Sequence, residues 1–209
     1  MSLYNFIKYN NCISWLSFPA LYDKITLSEC AITGTATEYL LANGTKALYF
    51  NGASYINGLD YTVGSTFTIS LWFNKTVTST TNSTLYDSGN ADNSDKIMIY
   101  TTSANVLHAK VVANNSLSRD LTYTVELNQW YHVVMVRSSS TLYLYVNGIL
   151  VNSIADTLSV DTQTQITIGR LVTGSPLCYF TGVMKNVMVF NTQLTTKQIQ
   201  KLYYYLYIS

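Results

Sequence analysis

The segment Trp130–Val151, WYHVVMVRSSSTLYLYVNGILV, leaves the chain little choice of fold. Leu142, Leu144 and Val146 alternate with Tyr143 and Tyr145, the period of a strand whose two faces meet different surroundings. Val133, Val134, Met135 and Val136 form an unbroken apolar run, which predicts a strand covered on both faces. Asn147-Gly148 stands between two apolar runs, where a type I′ hairpin turn needs positive φ at both central residues. Ser138, Ser139 and Ser140 make the polar turn between the first two strands and lack the flanking glycines of a nucleophile elbow.

The same alternation recurs in FTISLWF, with Phe67, Ile69, Leu71 and Phe73 on one face and Thr68, Ser70 and Trp72 on the other. Further strands are expected at Lys96–Tyr100, Val106–Val112, Ile166–Ile168 and Val183–Phe190. Only the C-terminal end changes period: Thr195 and Thr196 can cap a short helix with Ile199, Leu202 and Leu206 on one stripe. Many short strands without crossover helices predict an all-β, two-sheet antiparallel jelly-roll sandwich of about 12 to 14 strands with that helix at its end. The expected core is Phe67, Ile69, Leu71, Val134, Val136, Leu142, Leu144, Val146, Ile168 and Val187. One domain spans residues 1–209, with 1–11 as an N-terminal arm and 195–209 as C-terminal helix and tail. Thr76–Asp95 reads as a large surface loop holding a short strand around Leu85 and Tyr86.

Composition narrows the function. Only 11% of the 209 residues are charged and the net charge is +1, which excludes a basic nucleic-acid-binding surface and a disordered chain. No apolar run is long enough to span a membrane, and Met1–Asn11 has neither the basic start nor the apolar stretch of a signal peptide. Cys12, Cys30 and Cys178 are widely spaced and lack neighbouring Cys or His, so free thiols are expected and no metal site.

ALYFNGASYING (Ala47–Gly58), FTISLWF, LNQWYHVVMVRSSSTLYLYVNGILV (Leu127–Val151), ITIGR (Ile166–Arg170) and FTGVMKNVMVFNTQLTTKQIQKLY (Phe180–Tyr203) occur in this order, after ISWLSF (Ile13–Phe18). Together they resemble the laminin G-like and pentraxin-like jelly rolls of the concanavalin A-like lectin/glucanase superfamily. The resemblance implies two curved sheets, tight turns at Gly52, Gly148 and Gly182, and a concave face with rim loops for ligands. Where calcium-binding relatives carry acidic residues, this chain has Asn51 and Lys185-Asn186. No cofactor is therefore expected; Asp87, Asp92 and Asp95 are the candidate donors if calcium binds. The glucanase branch pairs carboxylates along one strand, whereas Glu29, Glu38 and Glu126 have no Asp two positions on, so no catalytic residues are expected. His132 shares its face with Trp130, Val134 and Val136 and reads as a core histidine; His108 reads as structural.

Aromatic side chains with a polar tip remain. Trp72, Tyr143 and Tyr145 are the candidate ligand-binding residues, since such rings suit sugar stacking and protein contact. Tyr203, Tyr204, Tyr205 and Tyr207 cannot all face one core and are the candidate partner-docking residues, for another subunit or a surface protein. The expected function is a non-catalytic structural or display module. The absent signal peptide and the excess of Lys over Arg favour a virion surface component, a capsid decoration or fibre protein that also meets glycans. The alternative is an extracellular or cell-surface carbohydrate-binding or adhesion module.

Overall fold

The computed structural model describes residues 3–19, 23–27, 29–59, 61–90, 94–172 and 177–207. Two helices, α1 (Leu3–Tyr9) and α2 (Thr196–Tyr207), flank β1 (Cys12–Leu16), β2 (Ala31–Thr33), β3 (Ala36–Leu40), β4 (Lys46–Asn51) and β5 (Tyr55–Asn57). Then follow β6 (Phe67–Lys75), β7 (Ser83–Gly89), β8 (Lys96–Thr101), β9 (Val106–Ala113) and β10 (Leu117–Thr124). The last five are β11 (Trp130–Arg137), β12 (Thr141–Val146), β13 (Ile149–Ala155), β14 (Gln165–Ile168) and β15 (Thr181–Phe190). No helix among the described residues is long and apolar enough to cross a membrane.

All pairings are antiparallel. An eight-stranded sheet runs β13-β12-β11-β6-β15-β4-β3 with β1 also on β15, and a seven-stranded sheet runs β10-β9-β8-β7-β14-β5-β2. Strand β15 serves two partners on one side because it bends at Asn186 (φ 52), where its register on β6 shifts between Lys185 and Met188. Before the bulge it pairs with β4, after it with β1. The bulge also resets the phase, so Met184 and Val187 both point into the sandwich.

The sandwich core takes Phe67, Ile69, Leu71 and Phe73 from β6, Leu142, Leu144 and Val146 from β12, and Ile97, Ile99, Leu107, Ala109 and Val111 from the other sheet. Val134 and Val136, expected in this core, lie instead in a second cluster beneath the helices, while Val133 and Met135 face the sandwich. Pairing settles the matter: Val133 opposes Leu71 and Met135 opposes Ile69, and directly opposed residues share a face. Four consecutive apolar residues carry no such information.

The outer face of the eight-stranded sheet is roofed by both helices. Thr195 caps α2 through reciprocal bonds with Gln198: the Thr195 N–H donates to Gln198 Oε1 (2.7 Å) and the Gln198 N–H to Thr195 Oγ1 (3.4 Å). Ile199, Leu202 and Leu206 then bury one stripe against Trp72, Val134, Val136, Tyr145, Met188 and Phe190. The expected N-terminal arm is helical over most of its length. Phe6 of α1 meets Phe190 and Tyr205 edge-on, at 6.5 and 6.2 Å between ring centroids.

Two further expectations change. The Thr76–Asp95 segment contains β7, a fully buried strand in the middle of the seven-stranded sheet rather than a short insertion in a surface loop. Gly182 lies inside β15, not in a turn; a Cβ there would collide with the carbonyl of Asn74 on the adjacent strand. By contrast the Asn147-Gly148 turn has the expected positive φ at both residues, 51 and 78.

Leu144→Ala should cost about 2–5 kcal/mol of stability, the range for emptying a buried leucine site. Tyr204, 62% exposed on α2, should tolerate Ala within about 0.5 kcal/mol. Chemical denaturation of the two variants measures both.

Candidate functional site

Trp72, on the outer face of β6, lies under α2 with only 3% of its surface exposed. It stacks on His132 (5.1 Å between centroids, 26° between planes) and on Tyr203 of the helix (5.5 Å, 12°). Tyr145 is 5% exposed and its hydroxyl meets Thr196 Oγ1 at 3.0 Å. Tyr143 is half-buried at the margin of the same cluster. The three expected ligand-binding aromatics therefore sit under or beside the helical roof, because the sheet face they share is the one that α2 covers. The expected docking tyrosines divide as well. Tyr203 and Tyr205 pack on their own chain, whereas Tyr204 and Tyr207 are each 62% exposed.

His132 is fully buried and its Nε2 lies 2.8 Å from Ser70 Oγ. Burial, with the Lys185 charge as a second cause, pushes its pKa down to about 3. It stays neutral and structural at any ordinary pH. Lys185 donates to the Leu206 carbonyl at 3.2 Å and so closes the C-terminal turn of α2. Asn186 occupies the bulge, its Oδ1 3.5 Å from Trp15 Nε1. Lys185 and Asn186 thus serve the helix and the bend.

No helix packs on the outer face of the seven-stranded sheet among the described residues. Alternation places Ile97, Ile99, Leu107, Ala109 and Val111 inward, so Lys96, Met98, Tyr100, His108 and Lys110 point outward. All five are half-buried. Register aligns them into rows across strands: Thr84, Tyr100, His108 and Thr122 form one, and Thr167, Asp87, Met98, Lys110 and Asp120 the next. Tyr100 and His108 stack nearly parallel, at 4.7 Å and 6°. His108 Nδ1 bridges both oxygens of Asp120, at 3.0 and 3.1 Å. Burial and the Asp120 charge push the Tyr100 phenol up to about 12, so it remains a neutral hydroxyl.

One side of this face is walled by residues 170–172 and 177–179, which follow β14. Arg170 places its guanidinium 3.7 Å over the Tyr55 ring, and Tyr179 lies 6.2 Å from the same ring. The segment is pinned from below: the Val172 N–H donates to Asp87 Oδ2 at 2.6 Å, and the Thr84 N–H donates to the Cys178 carbonyl at 2.9 Å. Asp87 Oδ1, Thr84 Oγ1 and Arg170 Nε are buried here without a hydrogen-bond partner. In the sequence His108 reads as structural and Asp87 as a calcium donor, and none of the residues of this face makes a motif. Only pairing across four strands assembles them.

Asp87 and Asp120 are three strand spacings apart, about 14 Å, beyond the roughly 5–9.5 Å that glycoside hydrolysis uses. Glu38 is exposed and paired with Lys46 at 3.0 Å. Of the candidate calcium donors, Asp92 lies outside the described residues. Asp95 spends Oδ1 on the Asn114 N–H (2.7 Å) and Oδ2 on the Asp161 N–H (2.6 Å), tying two loops together. No group of three or more metal-ligating side chains exists among the described residues. Cys12, Cys30 and Cys178 form no disulfide among the described residues.

Residues 50–200 match the laminin G family described as the Concanavalin A-like lectin/glucanases superfamily. The chain belongs to this superfamily. No curated protein matches the sequence significantly. Among solved structures it is similar to domain 4 of AbnA, a GH43 extracellular arabinanase from Geobacillus stearothermophilus, in complex with arabinotriose. That likeness has a TM-score of 0.76 at 19% identity and covers 92% of this chain and 98% of the other. It is also similar to a botulinum neurotoxin type C structure described with two ganglioside molecules (TM-score 0.76, 16% identity, 95% of this chain). The binding domain of botulinum neurotoxin DC in complex with rat synaptotagmin II is a further match (TM-score 0.75, 19% identity, 94% of this chain). The chain spans about half the length of those toxin structures, 52% in each case. At these identities the likeness establishes the jelly-roll fold.

Asp87 yields a test of the wall. Burial pushes its pKa from the ordinary 3.8 up to about 7, with the Val172 N–H, the Lys96 charge and the Ser88 N–H opposing. An unfolded chain ionises this group near 3.8 and the folded one near 7, so its ionisation subtracts stability as pH rises through that window. Asp87→Asn, which can still accept from Val172, should match the wild type near pH 3 and exceed its melting temperature near pH 8. Thermal unfolding at the two pH values decides.

Proposed function

We propose that this chain is a non-catalytic carbohydrate-binding module that takes its ligand across the open face of the seven-stranded sheet. The observation that carries the reading is the row at β8–β10: the Tyr100–His108 stack beside Lys110 and the His108–Asp120 pair, on the one sheet face that no described helix covers. A sugar presents an apolar ring face edged by hydroxyls. Tyr100 and His108 offer π-surface for the former. Lys110, Asp120 and Thr122 offer donors and acceptors for the latter. Charges of both signs alternate along the row, which suits a neutral polyhydroxylated ligand better than a polyanion.

The solved complex of a similar domain with arabinotriose supports this ligand class, and the ganglioside-related toxin structure points the same way. The separation of Asp87 and Asp120 supports binding without hydrolysis. The virion role expected from composition draws no support from the fold or from these neighbours, and the extracellular carbohydrate-binding alternative takes its place.

A glycan array followed by calorimetry on the best ligand tests the proposal. Tyr100→Ala and Lys110→Ala should each weaken binding about tenfold, the cost of roughly 1.4 kcal/mol, with folding intact by circular dichroism. Full affinity in both variants, or turnover of the bound glycan, would refute it.

A further inference from the structure

On the helical side of the molecule, beside α1, lies a cavity of about 380 Å³, within the roughly 300–1,000 Å³ of ordinary ligand sites. Ile7 of α1, Cys12 of β1, and Ile25 and Leu27 of the turn at 23–27 give it apolar walls. The cysteine belongs with them, since burial pushes its thiol up to about 12 and keeps it uncharged. The polar side chains of the lining are Tyr4, Lys8 and Lys24: a phenol and two ammonium groups, with no carboxylate and no amide. Both lysines are exposed, and neither pairs with a carboxylate among the described residues. Lys24 holds its Nζ 4.2 Å over the Trp15 ring. Asp23 organises the turn from inside. It is buried, takes the Ser14 hydroxyl on Oδ2 at 2.5 Å, and on Oδ1 accepts the N–H groups of Trp15, Ile25 and Thr26 at 3.2, 2.8 and 3.2 Å. The turn ends at Leu27, which has φ 58 and is 67% exposed. A bulky residue in the left-handed region is uncommon and strained, and here it sets an apolar side chain at the cavity instead of in the core.

We infer that this cavity binds one anionic amphiphile, a medium-chain fatty carboxylate. An ammonium has three protons to donate and no lone pair to accept one. A site whose polar side chains are two lysines and a tyrosine therefore favours a negatively charged acceptor. A sugar would find only the Tyr4 oxygen as a side-chain acceptor for its hydroxyls. The four apolar side chains of the lining give an alkyl chain a surface on which to leave water. Lys8 comes from α1 and Lys24 from the turn, the two elements that bound the cavity, so a carboxylate bound there draws on a charge from each. Neither element exposes a carboxylate that would repel it: α1 has none, and Asp23 is buried and hydrogen-bonded through both oxygens. An anionic bilayer shares the headgroup charge but presents a plane and needs no cavity, so the apolar-walled volume favours the free carboxylate. This site uses another face, another ligand chemistry and none of the residues of the carbohydrate-binding reading.

Calorimetric titration of the full chain with decanoate, kept below its micelle concentration, should show saturable binding at one site per chain. Acetate, the head without the chain, and decyltrimethylammonium, the chain with the opposite charge, should not bind measurably. Lys8→Gln and Lys24→Gln should each weaken decanoate binding about fivefold, the upper end for an exposed ion pair. Leu27→Gly, at a position whose backbone already suits glycine, should weaken it with the fold intact by circular dichroism. Lys46→Gln, a lysine paired with Glu38 on the neighbouring strand, and Tyr100→Ala should bind as the wild type does. The inference is overturned if decanoate shows no saturable binding, if it binds at many sites per chain as a detergent would, or if decyltrimethylammonium binds as well. Full affinity in all three cavity variants, or an equal loss in Lys46→Gln or Tyr100→Ala, overturns it too. Vesicles separate the two sources of such a headgroup. Co-sedimentation with phosphatidylcholine vesicles containing phosphatidylserine, by a chain that ignores free decanoate, assigns the lysines to a membrane surface and overturns the cavity site.

Discussion

A sheet whose middle strands are buried on both faces must satisfy its polar groups without help from bulk water. In this protein those strands are β6, β11 and β15, and nearly every residue on them is buried. Several of the polar exceptions are met locally. Ser70 meets His132 across the β6–β11 pair, Thr68 Oγ1 donates to the Thr192 carbonyl and accepts from the Leu194 N–H, and Arg137 is held by Asp156 and two carbonyls. Because His132 is kept neutral by burial, it adds no charge to the layer beneath α2. Covering this sheet on its second face is the condition that requires both helices, and it consumes Trp72, Tyr145, Tyr203 and Tyr205.

That expenditure decides where recognition can occur. The helical roof covers the outer face of the eight-stranded sheet, whereas among the described residues the seven-stranded sheet keeps its outer face clear except where residues 170–172 and 177–179 lie against it. Asp87 belongs to the construction of that contact rather than to chemistry: its carboxyl is buried under Val172, and burial moves its titration to neutrality. The neighbouring rows that carry Tyr100 with His108 and Lys110 with Asp120 are half-buried, and each side chain stands on a paired strand.

Much of the sandwich was legible because its signals are local. Alternation in FTISLWF and TLYLYV gives strand and phase at once, and Asn147-Gly148 specifies its turn through positive φ. Thr195 and Thr196 offer the cap that starts α2, and Ile199, Leu202 and Leu206 mark its buried stripe. The failures share a different cause. The run Val133–Val136 has no contrast between faces, β7 is so polar in sequence that it reads as loop, and α1 is too short to declare a period.

What the sequence determined by itself is therefore the kind of element at each place and the need to bury two sets of apolar faces, since backbone preference and side-chain period act over a few residues. The tertiary structure alone decided which aromatic ring is sealed and which is presented. Trp72 and Tyr100 have similar neighbours in sequence, but one strand lies beneath α2 and the other faces outward. The outward residues of the seven-stranded sheet form rows across strands, Tyr100 with His108 and Lys110 with Asp120. Such rows exist only after register is fixed, because pairing brings together residues that the chain itself keeps far apart.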